Sequence, residues 1–517
     1  MGLGSPQPAD QSPGPSFHPL QAIVALGGIQ ALTMAAGLAR TKVLALLLGP
    51  AGLGVASVVD QVLSLIAQLG SLSIPFAALK YLARSRDSSE DETRRIYNAF
   101  VLLLTVASIG FALIACAVAA VRPSLFGDGL TTFRTPLIVA LLGVPPFALM
   151  PLLRNALAAL ERHRESAVAA LIAAVLSIGG SAVGVRAGGL TGLYVANGVV
   201  LILTIAGTQW YLGRSLGLGL SRDAGLTRAL RLLRAQPGLW TFASSMYVLA
   251  LTSPLAYLFA RSTLLSTHGA AEAGLAAAVY GIAVSIRLVL TQANALYLTP
   301  LVNRARPKTE RIAAVAEYLR ILVVLLTLSA LAVVLFPRQW LIVLYSARFV
   351  SAFPMVTVFV LAESVLLVAG VYQTLLIGFD DSRGYLISTV AGHLLTISVA
   401  HTLAIAYGGY GVGLAFLAGN GVILLATAAR SVRRHDAARV LAPLLAFAVA
   451  VTAIGAAGWW ASSANAPAVA WKAMVYAAAA LLAFAFLRPD ERRWIVRPWY
   501  APPLASGPPV SDDRASG

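Results

Sequence analysis

Charge is scarce in this chain. Only 11% of its 517 residues are Asp, Glu, Lys or Arg, against 58% hydrophobic, whereas soluble domains carry about 25% charged residues. A soluble globular protein is excluded. There is a single cysteine, Cys116, so no intramolecular disulfide or multi-cysteine metal site is possible. No hydrophilic stretch reaches the roughly 50 residues of an independent domain. No GxxxxGK[ST] loop occurs, and the six histidines fall in no metal-ligand or triad spacing, so the sequence predicts no enzyme, no metal and no cofactor. Residues 1–20 contain no Lys or Arg; without the basic start of a signal peptide they predict a disordered lead.

What is present is apolar length. Stretches able to cross about 30 Å of hydrocarbon as helices fall at 21–48, 51–80, 98–121, 135–157, 166–186, 190–213, 239–266, 271–302, 315–336, 351–378, 385–407, 410–429, 440–461 and 467–487. The fold class predicted is therefore an all-α polytopic membrane protein of about fourteen transmembrane helices. The net charge of +17 follows topology rather than nucleic acid: loops of one parity hold 22 Lys or Arg and those of the other hold six. With the positive-inside rule, both termini are predicted cytoplasmic, with Asp380-Asp381 as a solvated helix end on an inner turn.

The chain also repeats. An offset of 221 relates Arg40 to Arg261, and offsets up to 225 relate Gly52-Leu53 to Gly274-Leu275, Pro75 to Pro300, Gly192-Leu193 to Gly413-Leu414, and Asn197-Gly198 to Asn420-Gly421. Six spans per repeat is an even number, so two parallel six-helix lobes should face each other around a central cavity. The organisation predicted is a lead at 1–20, an N-lobe at 21–213, a cytoplasmic linker at 214–238, a C-lobe at 239–430, two further helices within 431–487, and a cytoplasmic tail at 488–517. In the linker, Arg228, Arg231 and Arg234 oppose Leu226, Leu230 and Leu233, the pattern of an amphipathic helix lying on lipid.

Polar residues inside the spans mark the candidate site. Ser57, Gln61, Ser64, Gln68 and Ser71 share one helix face, and Tyr280, Arg287, Thr291 and Asn294 stand 223 positions after Ser57, Ser64, Gln68 and Ser71. Such groups either join helices by hydrogen bonds or line a wet cavity. Arg287 falls near mid-membrane, where a charge needs water, a carboxylate or an anionic ligand. Arg40 either neutralises Asp60 across the first hairpin or binds substrate; Lys42 points elsewhere. Arg261 has Glu272 across the next turn, and Glu363 either pairs with Arg287 or carries a proton. A large anionic, lipid-linked substrate fits this cationic interior.

The run Gly37-Leu38-Ala39-Arg40-Thr41-Lys42, then Leu46-Leu47-Leu48-Gly49-Pro50-Ala51-Gly52-Leu53-Gly54, then Pro75 and the basic loop after Lys80 resembles the polysaccharide transporter family. These are the O-antigen or repeat-unit flippases (Wzx) of the multidrug/oligosaccharidyl-lipid/polysaccharide exporter superfamily. The resemblance implies an inner-membrane flippase that moves an undecaprenyl-pyrophosphate-linked oligosaccharide from the cytoplasmic to the periplasmic leaflet by alternating access. It implies that Arg40, Lys42, Arg261 and Arg287 take the pyrophosphate and that Ser64, Gln68, Thr291 and Asn294 take sugar. A proton or Na⁺ on Asp60 or Glu363 is the candidate coupling ion, as in an antiporter. The implied partners are lipid-linked oligosaccharide, membrane lipid, and the polymerase and chain-length regulator of the same pathway, with no nucleic acid. The alternatives are a lipid II flippase, against which the GPAGLG hairpin argues, and a membrane glycosyl polymerase or ligase, which should carry a large outer loop.

Overall fold

The computed structural model describes residues 19–85, 90–219, 225–236, 238–294, 298–303, 307–463 and 469–486. The lead through residue 18, Arg222, Arg304 and Arg306, and the tail from 487 lie outside the described residues. What is described is all helical. The long elements are α1 (Pro19–Ser71), α3 (Glu90–Val121), α6 (His163–Leu216), α8 (Leu239–Ala293), α10 (Lys308–Leu335), α12 (Val356–Gly378), α13 (Ser382–His435), α14 (Leu441–Ser462) and α15 (Val469–Phe486). Shorter helices are α2 (Ile74–Ser85), α4 (Arg134–Leu142), α5 (Val144–Ala159), α7 (Leu226–Arg234), α9 (Thr299–Asn303) and α11 (Pro337–Leu344). Helices are the way apolar segments satisfy their backbone in lipid.

Among the described residues nine helical segments are long and apolar enough to cross a membrane, one of them the stretch Asp128–Ala159 that holds α4 and α5, and a shorter one, in α15, follows at 469–484. Four of the nine, α1, α6, α8 and α13, are broken at Gly49, Gly189, Gly269 and Gly408, with φ of 64°, 56°, 83° and 57°. That left-handed region is open to glycine without a Cβ penalty. Each break separates two spans, which makes fourteen. In α6 the arms fold back on each other: a Cβ on Gly184 would lie 2.4 Å from the carbonyl oxygen of Gly192, the close approach that small residues permit between membrane helices.

The duplication is written most clearly in the backbone. Left-handed residues recur in pairs: Gly49 with Gly269, Glu161 with Asp380, Gly189 with Gly408, and Gly217 with Asp436, at separations of 219 or 220. The offsets of 221–225 drawn from side chains are corrected accordingly. Near the second turn the equivalent of Gly192 is Gly411, whose Cβ would strike the carbonyl oxygen of Leu403, itself 219 residues after Gly184. An offset of 223 carries the polar stripe of the second span three residues too far. At 3.6 residues per turn the two stripes keep a similar face but differ in depth by nearly one turn.

Two span boundaries also shift. The second span ends at Ser71 rather than 80, because Leu72 and Ser73 turn with φ of 49° and 55° and a separate α2 begins. The eighth ends at Ala293, with α9 starting at Thr299. Pro75 and Pro300 explain both breaks, since proline lacks the N–H that would continue a helix and suits a first turn. The linker helix α7 buries Ala229 and Leu233, with Arg228, Arg231 and Arg234 exposed; Leu226 is exposed too. The pair α14 and α15 packs on α10, so the extra spans belong to the C-terminal half.

The Asp380-Asp381 turn is a helix end with Asp380 exposed as expected, but Asp381 is not solvated. Asp381 is 7% exposed and caps α13 by accepting from the Gly384 amide at 3.1 Å. It also accepts two bonds from Arg430, at 2.5 and 2.8 Å, with His435 Nε2 at 3.3 Å. Hydrogen bonding from the Arg430 guanidinium holds its carboxyl well below the usual carboxylate range. A depressed value stabilises the fold at and above the ordinary range and is lost only as pH falls through the depressed one. Asp381→Asn should therefore cost about 1.5–3 kcal/mol, read as a lower melting temperature whose deficit is unchanged between about pH 5 and 8. A deficit that grows steadily across that window would contradict the assignment.

Candidate functional site

The site lies where α1 meets α8, the most extensive helix pairing in the fold. Beside their glycine breaks the two chains meet main chain to main chain. A Cβ on Gly54 would lie 2.0 Å from the Ala270 carbonyl oxygen, and one on Gly274 would lie 1.8 Å from that of Pro50. Lys42 crosses between halves at the same end and donates to the Ile342 and Val343 carbonyls at 3.3 and 2.5 Å. Those carbonyls end α11 and have no partner within the helix. The interlobe space is closed at this tip end.

Below the tips, Arg261 donates to the Ser57 carbonyl at 3.2 Å and lies over the Tyr280 ring at 4.7 Å, a favourable placement for a guanidinium. Gln61 donates to the Pro254 carbonyl at 3.2 Å, and Tyr247 to that of Leu69 at 3.1 Å. The stripe on the second arm of α1 therefore does face the other half. Some of its hydroxyls are spent on their own helix, Ser57 on Gly54 and Ser71 on Gln68, while Ser64 and Gln68 are half-buried. A small cavity of about 10 Å³, bordered by Arg261, Tyr280, Phe359 and Phe416, has room for about one water. The lobes are drawn together here rather than parted.

Arg40 and Asp60 reach the same hairpin, α6, but do not form an ion pair with each other. Arg40 donates from Nε to Ser181 at 2.8 Å and from Nη2 to Asn197 at 3.2 Å. Asp60 accepts from the Tyr194 hydroxyl at 3.0 Å and is exposed. Arg40 and, from the other half, Arg261 are the cations close enough to act on its charge. The hairpin was expected to match their depths, and it does. What the sequence could not supply is that Ser181, Asn197 and Tyr194 would satisfy each group separately.

In the C-terminal half Arg287 is bound to Glu363 through Nε. Glu363 is 1% exposed, and its second oxygen, Oε1, has no hydrogen-bond partner. Of the two roles open to this carboxylate, the pairing is the one seen. Around it Tyr257, Tyr280, Phe359 and Phe416 form a ring cluster with centroids 4.7–6.3 Å apart.

Three residues meet partners that the sequence did not name. Asn294 is buried and accepts from the Tyr318 hydroxyl of α10, so it joins helices within one half. Arg261 does not meet Glu272, whose Oε1 takes the Gly409 amide at 3.1 Å and fastens the tip of α8 to that of α13. Lys42, placed with the pyrophosphate ligands from sequence, is occupied at the closed tip. Thr291 is half-buried. Among the described residues no group of three or more His, Cys, Asp or Glu could hold a metal ion. Ser181, Tyr194 and Tyr257 had been missed; their one signal was polarity inside an apolar span.

No family model matches the chain. It is 22% identical over 388 residues, 74% of this chain and 91% of the other, to the lipid III flippase of Escherichia coli K12, and equally to that of Shigella flexneri. Among solved structures, the lipid II flippase MurJ in an inward closed conformation aligns over 92% of this chain and 99% of its own, with TM-score 0.62 and 12% identity. An inward-facing multidrug MATE transporter aligns over 84% and 99%, with TM-score 0.61 and 14% identity. The chain is a multi-pass membrane protein with the fold of the MurJ and MATE transporters, and in sequence it is similar to a lipid III flippase.

Proposed function

We propose that this protein is a flippase that carries an undecaprenyl-pyrophosphate-linked oligosaccharide, an O-antigen or exopolysaccharide repeat unit, across the bacterial inner membrane. Cargo passes from the cytoplasmic to the periplasmic leaflet as the two lobes part alternately at either end. The observation that carries this reading is that Arg261, from the C-terminal half, reaches the Ser57 carbonyl on the arm of α1 that bears Asp60, while Arg40 is held by Ser181 and Asn197 and neither arginine forms an ion pair with that carboxylate. An interface with more guanidinium than carboxylate inside a membrane calls for an anion. A pyrophosphate meets that call with several charge-assisted hydrogen bonds, the half-buried Ser64, Gln68 and Thr291 offer partners for sugar, and the polyprenyl tail stays in lipid.

Loop charge orients the molecule. The tips of α1, α8 and α13 gather at one end, opposite the basic residues of α7, and the positive-inside rule sets α7 and both termini in the cytoplasm. The closed tip end then faces the periplasm, ready to load from inside. The similarity to a lipid III flippase supports a lipid-linked cargo, and the polymerase and chain-length regulator of the pathway are the partners of that reading.

The test is reconstitution with lipid-linked glycan, followed by measurement of its amount in each leaflet. Wild type should move it, and Arg261→Ala should lose the equivalent of one charged hydrogen bond, about 1.5–3 kcal/mol, or about 10- to 150-fold in substrate affinity, with normal membrane insertion. Movement of lipid II in place of the glycan lipid would transfer the assignment to the cell-wall precursor. Movement of neither would end it.

A further inference from the structure

We propose that Glu363 is a proton-binding site that exchanges with substrate for Arg287, so that each anion bound at Arg287 brings one proton onto Glu363 Oε1. This rests on the reading that Arg287 meets the substrate's phosphate.

Arg287 stands deep in the bundle and cannot be left without a counter-charge when the carrier is empty. Glu363 supplies it. A phosphate that takes the guanidinium, in the two-pronged way arginine favours, leaves a carboxylate behind, 1% exposed and unpaired, which is strongly disfavoured in such surroundings. A proton removes that penalty. Oε1 is the atom to receive it, because it holds no hydrogen bond that would have to break. The O–H bond forms on Oε1, the Nε–Oε2 bond is released, and the guanidinium keeps its charge for the incoming phosphate. The proton comes from water at the lobe interface, where the small cavity reaches Tyr280 and Arg261 beside the same ring cluster.

The groups that bear on Glu363 favour a proton over a metal ion. Arg287 and Arg261 act on its charge from α8, with Tyr257 and Tyr280 of the same helix nearby. From α13, Asn420 is spent on the Ala362 carbonyl at 2.9 Å, and His393 turns to Thr252 at 3.0 Å. From α10, Tyr318 is spent on Asn294. A hard cation wants a shell of oxygens, and two guanidinium groups would repel it.

The experiment titrates purified protein with undecaprenyl pyrophosphate in detergent, by calorimetry in buffers of different ionisation enthalpy and from pH 6 to 8. Wild type should take up about one proton per ligand and bind about tenfold more weakly for each unit of rising pH. Glu363→Gln, which keeps a hydrogen-bonding side chain of the same shape, should bind with no proton uptake and no such slope. Infrared spectra of wild type should gain a protonated-carboxyl band on binding, and Glu363→Gln should not. Binding by wild type without proton uptake, uptake retained by Glu363→Gln, or dependence on Na⁺ in place of pH would each overturn the proposal. Undiminished binding by Arg287→Ala would instead remove Arg287 from the substrate site, and with it the reading on which this one rests. Should Glu363→Gln fail to fold, Glu363→Asp decides, since a retained carboxyl must keep the uptake.

Discussion

Gly274→Leu should stop translocation of lipid-linked glycan while leaving the protein in the membrane. A Cβ at this position would lie 1.8 Å from the Pro50 carbonyl oxygen and 2.9 Å from the Gly54 amide nitrogen, so the obstacle is backbone and no rotamer change relieves it. Overpacking in a core costs about 1–3 kcal/mol where neighbours can move; here closure of the tips is the arrangement that gives way. Each 1.4 kcal/mol shifts the balance about tenfold toward a form open at that end, and a carrier that cannot close there cannot complete its cycle. Two readouts check this. Glycan reaching the outer leaflet should fall at least about tenfold. In a background where Cys116, the sole cysteine, is replaced by Ala, a cysteine at Gln61 should react faster with an impermeant thiol reagent applied outside. Full translocation by Gly274→Leu would show that the tip contact is not used in the cycle.

Arg40→Ala should be just as damaging to translocation, and Arg40→Ala/Asp60→Asn should not be milder. Were the two residues a mutually neutralising pair, removing one would strand the other and removing both would largely restore the protein. In the structure each has its own partners, Ser181 and Asn197 for Arg40 and Tyr194 for Asp60. Ser181 and Asn197 lie 3.4 Å apart and can hold each other when Arg40 is gone. Loss of stability in Arg40→Ala should therefore stay near about 1 kcal/mol, while export falls by about tenfold or more through the lost charge-assisted bond to phosphate. A double variant that recovers at least half of wild-type export would return Arg40 to a structural role.

Much of the architecture was legible because a membrane enforces it. Length and hydropathy gave fourteen spans, since every apolar stretch of that size must be helical, and the loop arginines gave an orientation to propose. The repeat was legible in outline. Its register was not, because it survives in backbone turns: Glu161 and Asp380 share a left-handed conformation that no composition rule would have paired. Boundaries failed where proline intervened, at Pro75 and Pro300, which sit inside apolar stretches without interrupting their hydropathy.

The site was legible in its charges and not in its hydrogen bonds. Arg40, Asp60, Arg261, Arg287 and Glu363 stood out because an ion in an apolar span is costly wherever it points. Which carboxylate each arginine meets depends on helix rotation, and rotation is set by packing among residues far apart in sequence. Hence Glu363 was a pairing candidate for Arg287 that the structure realises, whereas Glu272, nearer to Arg261 in sequence, belongs to Gly409. Lys42 illustrates the same limit: its reach to Ile342 and Val343 spans 300 positions.

The meeting of Gly54 with Gly274 has a consequence for how such a protein can change over time. A seal made where two main chains touch requires glycine at positions 54 and 274 and makes no demand on the side chains that line the space below it. The arginine, tyrosine and amide groups below it are free to change for a different cargo while the seal is kept. Specificity and closure can thus drift independently, each without a compensating change in the other.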